Sequence, residues 1–263
     1  MKIGYVQLAP ELGNPESTRD KVNQLLSQIE DVDLIVLPEL CNSGYKFESR
    51  EQALSLAEPI DKSPFLDLIS QHCARLDAHV ATGLNEVEDD KLFNTSVLMG
   101  PGGFVGKYRK LHLFWDEFDI FEKGNLGTPV FDLGEYRLGM LICFDWLFPE
   151  VWRLLALNGA DIICHPSNLV LPGLCQKAIP VHAVINRVFA ITANRIGTEG
   201  DLTFTGLSIM ADPKANVLAQ APPDKEDVCV VDIDISEARN KQLTPRNHAF
   251  NDRRPQLYRG LVE

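Results

Sequence analysis

The chain has 263 residues, 45% of them hydrophobic and 24% charged, the balance of a soluble folded protein with ample length for a sizeable core. A formal net charge of -12 argues against nucleic acid or an anionic membrane as the main partner, because polyanions repel an acidic surface. No apolar run approaches the roughly 20 residues that span a bilayer, and "MKIGYVQLAPELGNPES" carries no secretory signal, so a cytoplasmic location is expected.

"KIGYVQL" reads as the first strand. In "NPESTRDKVNQLLSQIE", Asn14 suits the N-cap and Pro15 the first helical position, while Val22, Leu25, Leu26 and Ile29 make one helical stripe. "DLIVLPE" is continuously apolar, as in a strand covered on both faces, and it ends at Glu39. Ser63 and Pro64 open a helix that turns Leu66, Ile69 and Cys73 inward. "HVATGL" and "LFNTSVLMG" read as strands, "GPGG" as a turn, and "FVGKYRKLHL" as the returning strand of a hairpin, with Lys110 near its end. "RLGMLIC" is a buried strand that ends in a thiol, Cys143.

A helix follows over 149–158, closed by Gly159. "DIICHP" is a strand, and 176–188 a helix with Val181, Val184, Ile185 and Val188 on one face. "VFAITAN", "FTGLSIM" and "VCVVDID" add further strands. Alternating strands and helices predict sheets covered by helices, and the lack of repeats or linkers predicts one domain over 1–263.

The six cysteines, at 41, 73, 143, 164, 175 and 229, form no C-x-x-C pair and no zinc spacing, so no metal is expected. Cys73, Cys164 and Cys229 read as buried free thiols. "GPGGFVGK" fails both nucleotide-binding signatures, and the sequon at Asn94 is a chance match in a cytoplasmic chain.

Three strand ends carry groups that could share a pocket: Glu39, Lys110 and Cys143. Singly, each has a bland reading as loop acid, surface cation and packed thiol. Together they suit nucleophilic catalysis, since a thiol attacks as thiolate and needs a base for its proton or a cation for its charge. Glu39 would be the base and Lys110 the cation, while the backbone N–H of Phe144 could meet a developing oxyanion.

The motifs "VLPEL", "GKYRKLHLF" and "LICFDWLFPE", backed by "EFDIFEKG", "GADIICHPSN", "INRVFAITANRIG" and "FTGLSIMADP", resemble those of the nitrilase, or carbon–nitrogen hydrolase, superfamily over nearly the whole chain. That resemblance implies an α/β fold, a four-layer α-β-β-α sandwich, with a Glu39-Lys110-Cys143 triad and neither metal nor organic cofactor. It also implies a second acid at Glu117, in the E-x-x-x-F-x-x-G pattern, holding the lysine and orienting substrate. Asn186, Arg187, Asn194 and Arg195 resemble positions that brace the site or a subunit contact.

Within that resemblance, Phe144-Asp145 after the cysteine favours a small amide over a nitrile. Tyr45, Phe114, Trp115, Trp146 and Asn168 are candidates for the substrate pocket, each with core packing as its alternative. His112 and His165 read as packing or hydrogen-bonding residues. A homodimer or higher homo-oligomer is expected by analogy, with the carboxy-terminal "NDRRPQLYRGLVE" packing on a neighbour. A binding protein on the same frame, and a redox sensor pairing Cys143 with Cys41, stand as other classes.

Overall fold

The computed structural model describes residues 1–261. The chain begins β1 (Lys2–Gln7), α1 (Pro15–Ser27), β2 (Leu34–Val36), α2 (Arg50–Ser55), α3 (Pro64–Leu76), β3 (His79–Glu88), β4 (Lys91–Gly100), β5 (Gly103–Arg109) and α4 (Glu117–Ile120). It continues with β6 (Val130–Asp132), β7 (Arg137–Met140), α5 (Pro149–Leu157), β8 (Ile162–Ser167), α6 (Leu174–Asn186) and β9 (Phe189–Asn194). A small hairpin of β10 (Thr198–Glu199) and β11 (Leu202–Thr203) precedes β12 (Ile209–Ala211), β13 (Val217–Gln220) and β14 (Asp227–Asp232).

Two six-stranded sheets result, ordered β14-β1-β2-β3-β4-β5 and β6-β7-β8-β9-β12-β13. Taken in those orders, both pair antiparallel, parallel, parallel, antiparallel, antiparallel. One pairing pattern is used twice, although no repeat is visible in the sequence.

Strand alternation decides what fills each layer. Ile3, Tyr5, Leu34 and Val36 pack in one cluster with Leu138, Met140, Ile163 and Ile191 of the other sheet, and α5 and α6 close that cluster from outside. Val6, Leu8, Ile35 and Leu37 face the opposite way, onto Val22, Leu25 and Leu26 of α1 and Phe65, Leu66 and Ile69 of α3. The result is the four-layer α-β-β-α sandwich. Because β2 is buried on both sides, its sequence is apolar without alternation.

The helix starts agree with the sequence reading. Asn14 accepts the Ser17 N–H at 3.2 Å, with Pro15 at the first position. Ser63 accepts the Leu66 N–H at 3.0 Å, with Pro64 following. Five expectations need correction. The strand leading to Cys143 stops pairing at Met140, and Cys143–Leu147 form a 3-10 turn instead. The returning strand ends at Arg109, one residue before Lys110. Of "FTGLSIM" only the last two residues join the ladder, because Gly206 and Leu207 take positive φ and bend the chain away.

The fourth concerns α6, where Val181 and Ile185 are exposed while Cys175, Ile179, His182 and Ala183 face inward. The inward stripe mixes cysteine, isoleucine, histidine and alanine, so most β-branched residues mark the opposite one. All six cysteines are free thiols, and Cys229 is half-buried rather than buried. Of the carboxy-terminal run, residues 262 and 263 lie outside the described residues. No helix among the described residues is long and apolar enough to cross a membrane.

Candidate active site

Glu39 comes from one connection, and Lys110 and Glu117 from the two ends of another. Glu39 lies beyond β2, Lys110 just after β5, and Glu117 opens the short α4. The Lys110 Nζ sits 2.7 Å from Glu39 Oε1 and 2.6 Å from Glu117 Oε1, with all three side chains buried. Asn94 Nδ2 donates to Glu39 Oε1 at 2.7 Å, and Tyr45 donates its hydroxyl proton to Glu117 Oε1 at 2.7 Å. The second oxygen of Glu117 accepts the Phe114 N–H at 3.2 Å. Glu39 Oε2 is buried without a partner.

One cation between two carboxylates leaves an excess of negative charge in a dry place. Burial, with repulsion from Glu39, outweighs Lys110 and pushes the Glu117 pKa up to about 7. Burial works against the Lys110 ammonium too, but Glu117 and Glu39 hold its pKa above the ordinary lysine value. The same groups act on Cys143. Its thiol is raised well above the ordinary cysteine range, by burial first and by Glu39 next, with Lys110 opposing. At rest the sulfur therefore carries its proton.

Close backbone approach makes this convergence possible, and two glycines permit it. A Cβ on Gly83 would lie 2.3 Å from Leu40 N and 2.4 Å from the Glu39 Cα. One on Gly124 would lie 2.1 Å from the Arg109 carbonyl oxygen and 2.9 Å from that of Lys110. Gly124 closes the E-x-x-x-F-x-x-G pattern, whereas no sequence rule singles out Gly83.

Cys143 is 5% exposed and takes φ of 41°, a left-handed conformation that costs a non-glycine residue free energy. Two side chains hold it there. His165 places Nε2 2.8 Å from the Cys143 carbonyl oxygen, and Thr192 lies 3.0 Å from Nδ1. Burial pushes the His165 pKa down to about 4, so the ring is neutral near pH 7 and Nε2 carries the donated proton. Asp145 accepts the Ile142 N–H at 3.0 Å and the Tyr108 hydroxyl at 2.8 Å through one oxygen. Its other oxygen lies 2.7 Å from His112 Nδ1, and His112 stacks on Phe148 at 3.6 Å. Asp145 thus ties the start of the turn to the Lys110 loop, a contact the sequence reading did not assign.

The pocket candidates line two adjoining cavities that share Phe114, Val170 and Leu171 as walls. Tyr45 and Trp115 border one of about 130 Å³, with Glu117 and the missed residues Phe47 and Leu202. Trp146 and Asn168 border a narrow one of about 10 Å³, with Cys143 and Phe144. Phe114 packs its ring 5.0 Å from that of Phe144.

Behind Tyr45 stands a buried ion pair. Arg195 meets Glu199 at 2.6 Å and lies over the Phe204 ring at 4.0 Å. Glu199 in turn accepts the N–H groups of Tyr45 and Lys46, each at 2.9 Å. Asn194 accepts the Leu169 N–H at 2.9 Å beside the narrow cavity. Asn186 donates to the His182 carbonyl at 3.0 Å, and Arg187 to that of Pro213 at 2.6 Å, both away from the pocket. Cys41 is fully buried, and burial pushes its pKa up to about 12, as suits a packed thiol.

Comparison with known proteins follows the same lines. The carbon–nitrogen hydrolase family model matches residues 2–242. A nitrilase from Pyrococcus abyssi is 42% identical over 98% of this chain and 99% of its own. An (R)-stereoselective amidase from a Pseudomonas species is 35% identical over 91% of this chain and 87% of its own. A carbon–nitrogen hydrolase from Helicobacter pylori G27 superposes with a TM-score of 0.88 at 25% identity, covering 100% of this chain and 98% of that one. The chain therefore belongs to the carbon–nitrogen hydrolase family, within the nitrilase superfamily, and is an enzyme that hydrolyses carbon–nitrogen bonds.

Proposed function

We propose that this enzyme cleaves a small aliphatic amide to a carboxylic acid and ammonia through a thioester on Cys143. The observation that carries the reading is the buried Glu39-Lys110-Glu117 cluster beside the thiol, in which Glu39 Oε2 alone has no partner.

Because the thiol is protonated at rest, attack requires a base. Glu39 Oε2 takes the Cys143 proton as sulfur bonds to the amide carbon, and the carbonyl electron pair moves onto oxygen. Lys110 and the Phe144 N–H meet that oxyanion, a donor of this kind being worth about 3 kcal/mol in the transition state. Collapse re-forms the carbonyl and breaks the C–N bond, and Glu39 passes its proton to the departing nitrogen. Glu39 next takes a proton from water, whose oxygen attacks the thioester. The C–S bond breaks, the acid leaves, and the thiol regains its proton from Glu39. Glu117 and Tyr45 hold Lys110 in place throughout. The cavity of about 130 Å³, walled by Phe47, Ile120, Phe121 and Leu202, suits a short apolar acyl chain.

Ammonia release from a panel of amides and nitriles tests this, with intact-mass detection of an acyl adduct. Wild-type protein should release ammonia from short amides, and Cys143→Ala should abolish both release and adduct. Turnover of nitriles alone would favour the second reading, an aliphatic nitrilase, to which the Pyrococcus relative points. Adduct-free turnover in Cys143→Ala would sink both.

The same reading includes a cytoplasmic homodimer. Leu154 and Leu157 of α5 and Val181 and Ile185 of α6 are exposed on neighbouring helices, and Leu257 and Leu261 of the tail are exposed as well. An apolar face of this kind is expected to be covered by its symmetric copy. A monomeric mass by light scattering at micromolar concentration would rule that out.

A further inference from the structure

We propose that the side chain of Asn168 selects for substrates that carry N–H, its Oδ1 accepting a hydrogen bond from the amide nitrogen. The proposal rests on the amide-hydrolase reading above.

Asn168 sits between nucleophile and base. It lines the narrow cavity together with Cys143 and Phe144. Its Nδ2 donates to the Glu39 carbonyl oxygen at 3.0 Å. That bond fixes the orientation of the amide, because only the nitrogen end can donate to a carbonyl. Oδ1 is the end left over, and it is buried without a partner on a residue 2% exposed that lines the cavity of Cys143.

Two buried acceptors without partners therefore belong to this corner of the site, Oδ1 of Asn168, which lines the cavity of Cys143, and Oε2 of Glu39, whose carbonyl Asn168 holds. Mechanism occupies the second with moving protons. The first has no task among protein groups, and it needs a donor. A primary amide brings two N–H groups on the nitrogen that will leave. A nitrile brings none, and an ester or thioester none. When such a compound fills the cavity and excludes water, Oδ1 stays unpaired, which is the situation that lets a site reject an analogue lacking a hydrogen-bonding group. The site accordingly favours amides through a residue that takes no part in proton transfer.

Butanamide and S-methyl thiobutanoate separate this role from a structural one, since both give the same butyryl thioester on Cys143. The first expels ammonia and the second methanethiol, so deacylation is common and acylation differs only in the leaving group. Single-turnover acylation, read by intact mass, should show that Asn168→Ala lowers the amide rate ten- to a hundredfold more than the thioester rate. N,N-dimethylbutanamide needs the same proton from Glu39 but brings no N–H, so if Nδ2 merely steadies Glu39, Asn168→Ala lowers its rate by the same factor as that of butanamide and the proposal is overturned. Asn168→Leu keeps the side-chain size without an acceptor and provides the same ratio should the alanine variant not fold. An unchanged ratio in whichever variant folds overturns it equally. Wild-type protein acylated by the thioester but by no amide would instead overturn the amide-hydrolase reading itself.

Discussion

Gly83→Ala tests how closely the position of Glu39 depends on one missing side chain. The new Cβ would stand 2.3 Å from Leu40 N and 2.4 Å from the Glu39 Cα, where ordinary contact begins at 3.4 Å. Backbone atoms must give way by about 1.1 Å in total, because no flexible side-chain tip is among them. Two ties resist the shift, since Gly83 donates to the Pro38 carbonyl at 3.0 Å and accepts from Cys41 at 3.1 Å. Strain of this kind costs about 1–3 kcal/mol of stability. Displacing a catalytic group by about 1 Å costs on the order of a hundredfold in rate, roughly 2.7 kcal/mol of barrier. Gly102→Ala is the matched control, with nothing within 4 Å of its Cβ. Steady-state ammonia release and thermal melting together decide. The expectation is a kcat near one hundredth of wild type in a folded Gly83 variant, and wild-type kcat in the control. A folded Gly83→Ala protein within threefold of wild-type kcat would show that the close approach does not set the base.

Glu117 gives a pH signature. Its folded pKa of about 7 lies above the ordinary 4.5, so the folded state holds the proton more tightly. The stability this contributes is full below pH 4.5 and lost as pH rises through 7, on the order of 3 kcal/mol in all. Urea titrations of wild type and Glu117→Gln should therefore differ by an amount that shifts in the variant's favour between pH 4.5 and 8, and a pH-independent difference refutes the assignment. Glu199→Ala should cost about 3–5 kcal/mol by leaving Arg195 charged and unpaired in the core. Replacing both partners, as Arg195→Met with Glu199→Leu, should recover much of the melting temperature but not kcat, since Tyr45 and Lys46 have still lost their acceptor. Full recovery of kcat in the double variant would remove Glu199 from the positioning of Tyr45.

Much of the frame was legible because local signals agreed with one another. Asn14-Pro15 and Ser63-Pro64 mark helix starts that the structure keeps, and "DLIVLPE" announced a strand buried on both sides. The ends of β5 and β7 were less so. An apolar run such as "LIC" fits a strand as well as the approach to a tight turn, and only pairing partners distinguish them. Tyr45, Glu199 and Asn94 were illegible as neighbours of the charge cluster for a different reason. Their contacts span 72, 154 and 55 residues, and no periodicity reports a bond between loops so far apart. Asp145 was visible as an acid after the cysteine, but its four donors come from three places in the chain.

Backbone strain links these gaps. Leu40, Trp115 and Cys143 take φ of 46°, 49° and 41°; the first two lie within two residues of a group in the charge cluster, and the third carries the thiol beside it. Sequence rules place glycine, or asparagine, at such positions, so three bulky side chains there run against local preference. Each residue in that region costs on the order of 1–3 kcal/mol and persists only where its surroundings over-determine it. Those surroundings can be named. The Leu40 carbonyl accepts from Ser43 and Gly44, and the Trp115 carbonyl from Phe118. The Cys143 carbonyl is held by His165. A turn built from glycine would reach the same shape without strain, but it would carry no thiol, and it would leave the loops beside Glu39 and Glu117 freer to move. Local conformational cost at these three turns is therefore the counterpart of the rigidity that keeps the Cys143 thiol, the Glu39 carboxylate and the Lys110 ammonium in register.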